Sequence, residues 1–170
     1  EKDAQLAFGV NLSNMGTKIS YTDDSEEDFI PANMRVGGAF TYNFDQYNSL
    51  TFTTDLNKLL VPTPPIYDDS LPGNFVILYG KDPNVSVPAA IFQSFFDAPG
   101  VQMSDDPDDR SVFKEEMREI SYSFGLEYWY SRQFALRTGY FHEHETKGNR
   151  KYFTVGLGLR LNVFGLDFAY

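Results

Sequence analysis

The sequence predicts an all-β protein, an antiparallel transmembrane β-barrel present here as a partial barrel of about seven strands. Three observations lead to this class. Segments of about ten residues alternate between apolar and polar side chains, which is the length a tilted strand needs to cross a bilayer. Aromatic residues such as Tyr128, Tyr130, Phe134, Tyr140, Tyr152 and Phe164 gather near segment ends, where an amphipathic ring sits at the level of lipid headgroups. The polar side of each segment is rich in glycine, which would only weaken an exposed strand of a water-soluble sheet. The alternation by itself also fits a soluble sandwich or lipocalin-like barrel with the apolar side as its core. The three features favour lipid on that side instead.

The first segment, residues 5–13, turns Leu6, Phe8, Val10 and Leu12 one way and Gln5, Ala7, Gly9 and Asn11 the other. Residues 14–32 are a polar connector with an acidic run at Asp23, Asp24, Glu26, Glu27 and Asp28. Within it, residues 18–22 are able to extend a strand. Residues 33–44 set Val36, Phe40 and Tyr42 against Arg35, Gly37 and Thr41, and after a tight turn at 45–48 residues 49–57 set Leu50, Phe52 and Leu56 against Thr51, Thr53 and Asp55.

Between 58 and 117 the alternation stops. Eight prolines fall in this stretch, which bars a central strand from most of it. Ten acidic residues face four basic ones there, so most of the chain's net charge of −10 lies in this connector. A short helix is expected at 88–96, where a first-turn proline precedes the stripe Ile91, Phe92, Phe95 and Phe96. A second is expected at 111–117. An irregular connector of this length usually has a task of its own.

Four further segments follow: residues 120–130, then 134–140, 153–161 and 164–170. They place Phe124, Leu126, Leu136, Leu157 and Phe168 on the apolar side and Glu127, Arg137, Arg160 and Asp167 on the other. Connector lengths run long, short, long, short, medium, short. Outer-membrane barrels keep short turns in the periplasm and long loops outside, so the 58–117 loop is expected to be extracellular. Bacterial single-chain barrels have an even strand number. Residues 1–170 are therefore expected to be a single but incomplete barrel domain, processed or truncated upstream of Glu1 and lacking at least one returning strand.

Composition excludes several functions. Without cysteine there is no disulfide, thiolate metal site or thiol nucleophile. The acidic balance argues against nucleic acid as a partner. His142-Glu143-His144-Glu145 contains metal-ligand types, but a closed site needs further ligands and a solvated rim is the plainer reading. Asp105-Asp106-Pro107-Asp108-Asp109 lacks the glycine and spacing of a calcium loop. Gly156-x-Gly158 lies inside a strand, not at a strand-to-helix turn. Neither histidine stands in a nucleophile-elbow context. No cofactor, metal or catalytic group is expected, and the chain does not read as an enzyme. The inward charges Arg35, Arg137 and Arg160 balance Asp55, Glu127 and Asp167, so an ion-selective pore is disfavoured. Pairing across neighbouring strands is the preferred reading.

Several runs carry a family resemblance: Asn14-Met15-Gly16-Thr17-Lys18-Ile19-Ser20-Tyr21-Thr22-Asp23, Leu59-Leu60-Val61-Pro62-Thr63-Pro64-Pro65, Gly80-Lys81-Asp82-Pro83-Asn84, Glu127-Tyr128-Trp129-Tyr130 and His144-Glu145-Thr146-Lys147-Gly148-Asn149-Arg150-Lys151. With these the chain resembles the C-terminal half of the PorV (LptO) family, outer-membrane barrels of the Bacteroidetes type IX secretion system with a FadL-like fold. The resemblance implies a bacterial outer-membrane location and a non-catalytic role: binding secreted cargo by its C-terminal signal domain and passing it from the translocon to the surface attachment complex. The implied partners are cargo, translocon and attachment-complex proteins, and outer-membrane lipid. Phe92, Phe95 and Phe96 could anchor such a protein partner, or could instead fold the loop onto the barrel rim. Two other functions remain open in the sequence: a FadL-like transporter of hydrophobic small molecules, and a soluble β-barrel binding protein.

Overall fold

The computed structural model describes residues 3–20, 27–68, 70 and 76–170. In chain order its elements are β1 (Asp3–Ser13), β2 (Asn33–Asn43), β3 (Asn48–Leu59), β4 (Ile66–Tyr67), β5 (Ile77–Tyr79), α1 (Val87–Gln93), β6 (Val101–Gln102), β7 (Arg110–Ser111), α2 (Val112–Arg118), β8 (Ser121–Tyr130), β9 (Phe134–His142), a 3₁₀ turn (Glu145–Lys147), β10 (Lys151–Leu161) and β11 (Phe164–Ala169). The chain divides into two units. One takes residues up to Asn11, 35–57 and 121–170, and the other takes 12–34 and 58–120.

The first unit holds most of a seven-stranded sheet in the order β1-β2-β3-β8-β9-β10-β11. Each strand lies beside its neighbour in sequence, apart from the long excursion between β3 and β8. The pairings from β3 through β11 are antiparallel. The strand segments read from the sequence therefore appear with bounds shifted by a few residues at most. The sheet is open, with β1 and β11 at its edges, so no closed barrel is formed among the described residues.

The sheet has no aliphatic core. Among the described residues the buried apolar side chains are Ala32, Leu60, Ala90, Ala98 and Ala135. Large apolar residues stand exposed on every strand of the sheet: Phe8 at 81%, Phe40, Phe52, Phe124, Leu136, Leu157 at 60% and Phe168. Burying each such side chain would contribute about 1.5–3 kcal/mol, so a water-soluble fold would forgo a large stabilisation here. The tight connections follow local rules. Asp45 Oδ1 accepts from the backbone N–H groups of Tyr47 at 2.7 Å and Asn48 at 2.8 Å, and Ser131 and Arg132 take positive φ at the β8–β9 turn.

The second unit departs from the expected irregular loop. Two ribbons of two or three residues per strand, β4–β5 and β6–β7, lie within it. They are too short to show alternation, and the prolines confine them to that length. The helix expected at 88–96 stops at Gln93. Residues 94–96 close as tighter turns, with Phe96 N donating to Gln93 O at 2.9 Å. The second helix runs to Arg118, with Ser111 as its N-cap accepting from Lys114 N. In place of a strand extension past residue 18 there is a single bridge between Ile19 and Asp28. Tyr21, Thr22 and the acids Asp23, Asp24 and Glu26 lie outside the described residues, as do Asp69 and Pro72.

Candidate partner-binding surface and inward charges

In the second unit, Pro88 sits in the first turn of α1 and Ala89 and Ala90 follow it. That order suits a short helix, because proline is tolerated before intrahelical bonds begin and alanine has the best helix propensity. Ala90 is the face turned inward. Phe92, at 71% exposed, Phe95 and Phe96 are turned out. The side-chain amide of Gln93 donates to Asp82 O at 2.9 Å, and Lys81 Nζ stands 3.9 Å from the Phe96 ring centre. Gly80 has φ +100°, and a Cβ there would come within 3.0 Å of Pro65. Phe113 on α2 is exposed as well.

Beneath these rings the unit is held by a polar cluster. Lys58 Nζ, 4% exposed as a residue, donates to Glu116 Oε2 at 2.9 Å and Glu119 Oε2 at 2.8 Å. Glu116 Oε1 accepts from the backbone N–H groups of Asp97 at 2.9 Å and Ala98 at 3.0 Å. Thr63 donates from its hydroxyl to Glu119 Oε1 at 2.8 Å and from its backbone to Asp97 Oδ2 at 3.1 Å. Asp97 Oδ1 is buried without a hydrogen-bond partner. Burial pushes the Asp97 carboxyl above its ordinary range, and the nearby charges of Glu116 and Glu119 push the same way against the Thr63 hydrogen bonds. The cluster ties the segment at 58–63, the turn at 94–98 and α2 together, and so fixes the turn that carries Phe95 and Phe96. Sequence reasoning missed it. The available signal was Lys58 itself, which occupies the same strand parity as Leu56 and Phe52, where a charge is out of place.

The charges expected to face inward lie on the strands of the first unit. Glu127 and Arg137 are directly opposite in register on β8 and β9, and Arg137 Nε donates to Glu127 Oε2 at 2.5 Å. The same guanidinium pairs through Nη1 with Asp167, which lies two strands away on β11. It reaches there over Gly158 of β10, where a Cβ would come within 2.9 Å of Asp167 Oδ1 and 3.0 Å of Arg137 Nη1. Arg160 stacks on Trp129 at 4.9 Å, and Arg137 lies over the same ring system at 5.4 Å. The structure thus brings Glu127, Arg137 and Asp167 together, with Arg160 joined through Trp129. Arg35 and Asp55 enter no ion pair among the described residues. An apolar groove lined by Tyr128, Phe134, Leu136, Leu157, Leu159 and Phe168 lies on the aliphatic side of the sheet.

The residue types that suggested metal are engaged elsewhere. His142 stacks on Tyr122, with ring centres 4.9 Å apart, and its Nδ1 lies 3.3 Å from Tyr140 Oη. The Nδ1 of His144 accepts from Thr146 N, capping the 3₁₀ turn. Glu143 is held by Arg150 through two bonds of 2.8 Å, which keep its carboxyl below the usual range. Asp106 and Asp108 accept from the Asp108 backbone and the Tyr79 hydroxyl. No group of three or more metal-ligating side chains is assembled among the described residues.

The class so defined is a β-protein whose sheet has one aliphatic face and one polar face laced by charge pairs, with a separate unit that displays phenylalanines. The family model described as type IX secretion system protein PorV matches residues 1–66. The match stops short of the runs from Gly80 onward in which the resemblance was also read. No curated protein matches the chain.

Proposed function

We propose that this chain is the strand-bearing part of an outer-membrane protein of the type IX secretion system, a non-catalytic adaptor that binds secreted cargo through its outer loops. The observation that carries this reading is the PorV-family match over residues 1–66. The sheet supports the location. Its aliphatic face has no protein cover among the described residues, as expected for strands meeting lipid in a FadL-like barrel. The exposed phenylalanines of the second unit supply the aromatic anchors on which protein interfaces concentrate their binding energy. Delivery from translocon to attachment complex follows from the family resemblance. The transporter reading gains nothing from the apolar groove, because none of the residues that line it is charged and it belongs to the aliphatic side of the sheet.

Affinity isolation from a secreting cell tests the proposal. The tagged protein is expected to bring down large secreted proteins, and Phe92→Ser combined with Phe96→Ser is expected to reduce their yield by about tenfold, the weight of a modest hot spot. Recovery of lipid with no secreted protein would overturn it.

A further inference from the structure

The aliphatic face of the sheet carries few charges: Lys58 at the end of β3, which is buried and bonded to Glu116 and Glu119, and Lys151 at the start of β10. In register across β8, β9 and β10 stand Tyr122, His142 and Lys151, and the next row toward the sheet centre is Phe124, Tyr140 and Phe153. The rings pack on one another. Tyr122 stacks on His142 at 4.9 Å with the planes 11° apart, and Tyr140 lies 4.6 Å from Phe153. Tyr140 Oη is 3.3 Å from His142 Nδ1. Lys151 shares strand parity with Phe153 and Val155, so it stands on the aliphatic face, and it is exposed and enters no ion pair among the described residues. Its neighbour Arg150, by contrast, is fastened to Glu143.

We propose that this patch seats the phosphate-bearing headgroup of an anionic membrane lipid, with Lys151 as the charge partner, the Tyr122 and Tyr140 hydroxyls and His142 as hydrogen-bonding groups, and Phe153 and Phe124 against the first part of the acyl chains. Two arguments select a lipid over other occupants. The patch continues without a break into the leucines and phenylalanines of the same strands, so a ligand held by Lys151 lies with its apolar part along that face. It also offers, beside an apolar band, a cation that enters no ion pair among the described residues, on a chain whose net charge is −10. Aromatic rings and lysines at the boundary of an apolar band are where a headgroup meets a protein. The patch sits where β9 ends and β10 begins, beside the 143–150 turn, and marks one edge of the band.

The inference rests on the reading that lipid covers this face. Native mass spectrometry of the full chain in neutral detergent, offered phosphatidylglycerol, phosphatidylcholine or inorganic phosphate, tests both. Phosphatidylglycerol adducts are expected to exceed those of phosphatidylcholine. Lys151→Gln is expected to lower them about fivefold, the weight of one lysine at an anionic surface, while Lys151→Arg retains them. Lys147→Gln, which removes a charge from the adjacent turn, is expected to change little. Equal losses for Lys147→Gln and Lys151→Gln, equal binding of the two lipids, or binding of inorganic phosphate as tight as that of lipid would overturn the headgroup site and leave the membrane reading standing. A chain that stays monomeric without detergent and takes up neither lipid would overturn both.

Discussion

Arg137 reaches carboxylates on both sides because the strand between it and Asp167 presents glycine. Gly158 leaves the space through which Nη1 passes, and its replacement by valine sets a branched carbon against Asp167 and Arg137. Gly158→Val is therefore expected to lower stability by about 1–3 kcal/mol, read as a fall in the temperature at which the detergent-solubilised protein loses its sheet. Arg137→Leu removes two charge-assisted bonds from a partly exposed pair of sites and is expected to cost about 1–2 kcal/mol while leaving cargo recovery unchanged. A variant as resistant to heat and protease as the parent would contradict the pairing. In the second unit the two polar substitutions have opposite signs. Lys58→Ala strands Glu116 in a buried position without its cation, at a cost of about 3–5 kcal/mol, seen as rapid proteolysis within 58–120. Asp97→Asn removes a carboxyl whose ionised form burial disfavours, and it is expected to stabilise the unit by roughly 1 kcal/mol at neutral pH. Because the folded-state pKa of Asp97 is raised, its contribution to stability falls as pH climbs from the ordinary aspartate value of about 3.9 through the raised one. Asp97→Asn should flatten that part of the pH profile of protease resistance, and an unchanged profile would contradict the assignment.

At the scale of elements, strands were legible wherever the period of two ran for seven residues or more. The seven sheet strands appear where alternation placed them, since each side chain's face is set by parity alone. The two ribbons in the second unit were not legible, because two or three residues carry no period. The early stop of α1 was legible only in part. The stripe Ile91, Phe92, Phe95 and Phe96 suits a continuing helix, whereas the Ser94 hydroxyl donates to Ile91 O at 2.9 Å at the point where the helix ends. The same limits apply to the site. Glu127 and Arg137 were readable as facing charges once the hairpin was placed, but the span to Asp167 over a glycine depends on a register two strands wide. The cluster of Lys58, Asp97, Glu116 and Glu119 joins residues up to 61 positions apart, and only Lys58, by its parity, announced it.

At the scale of the whole molecule the two units differ in what they present. One presents an aliphatic face and a charge-paired face, and the other displays phenylalanines over a buried ion cluster. The proposed role in type IX secretion rests on the match over the first 66 residues, and the proposed cargo binding on the phenylalanines of the second unit. Both depend on which environment meets the aliphatic face. The chain has no cysteine, so single cysteines can carry spin labels without background. With labels at residues 153–160 of β10 in liposomes, the account predicts alternation. Labels replacing Phe153, Val155, Leu157 and Leu159 should be open to lipid-dissolved oxygen and shut to a water-soluble nickel reagent, and those replacing Thr154, Gly156, Gly158 and Arg160 should show the reverse. Leucine positions shielded from both reagents, or as open to nickel as Arg160, would contradict it.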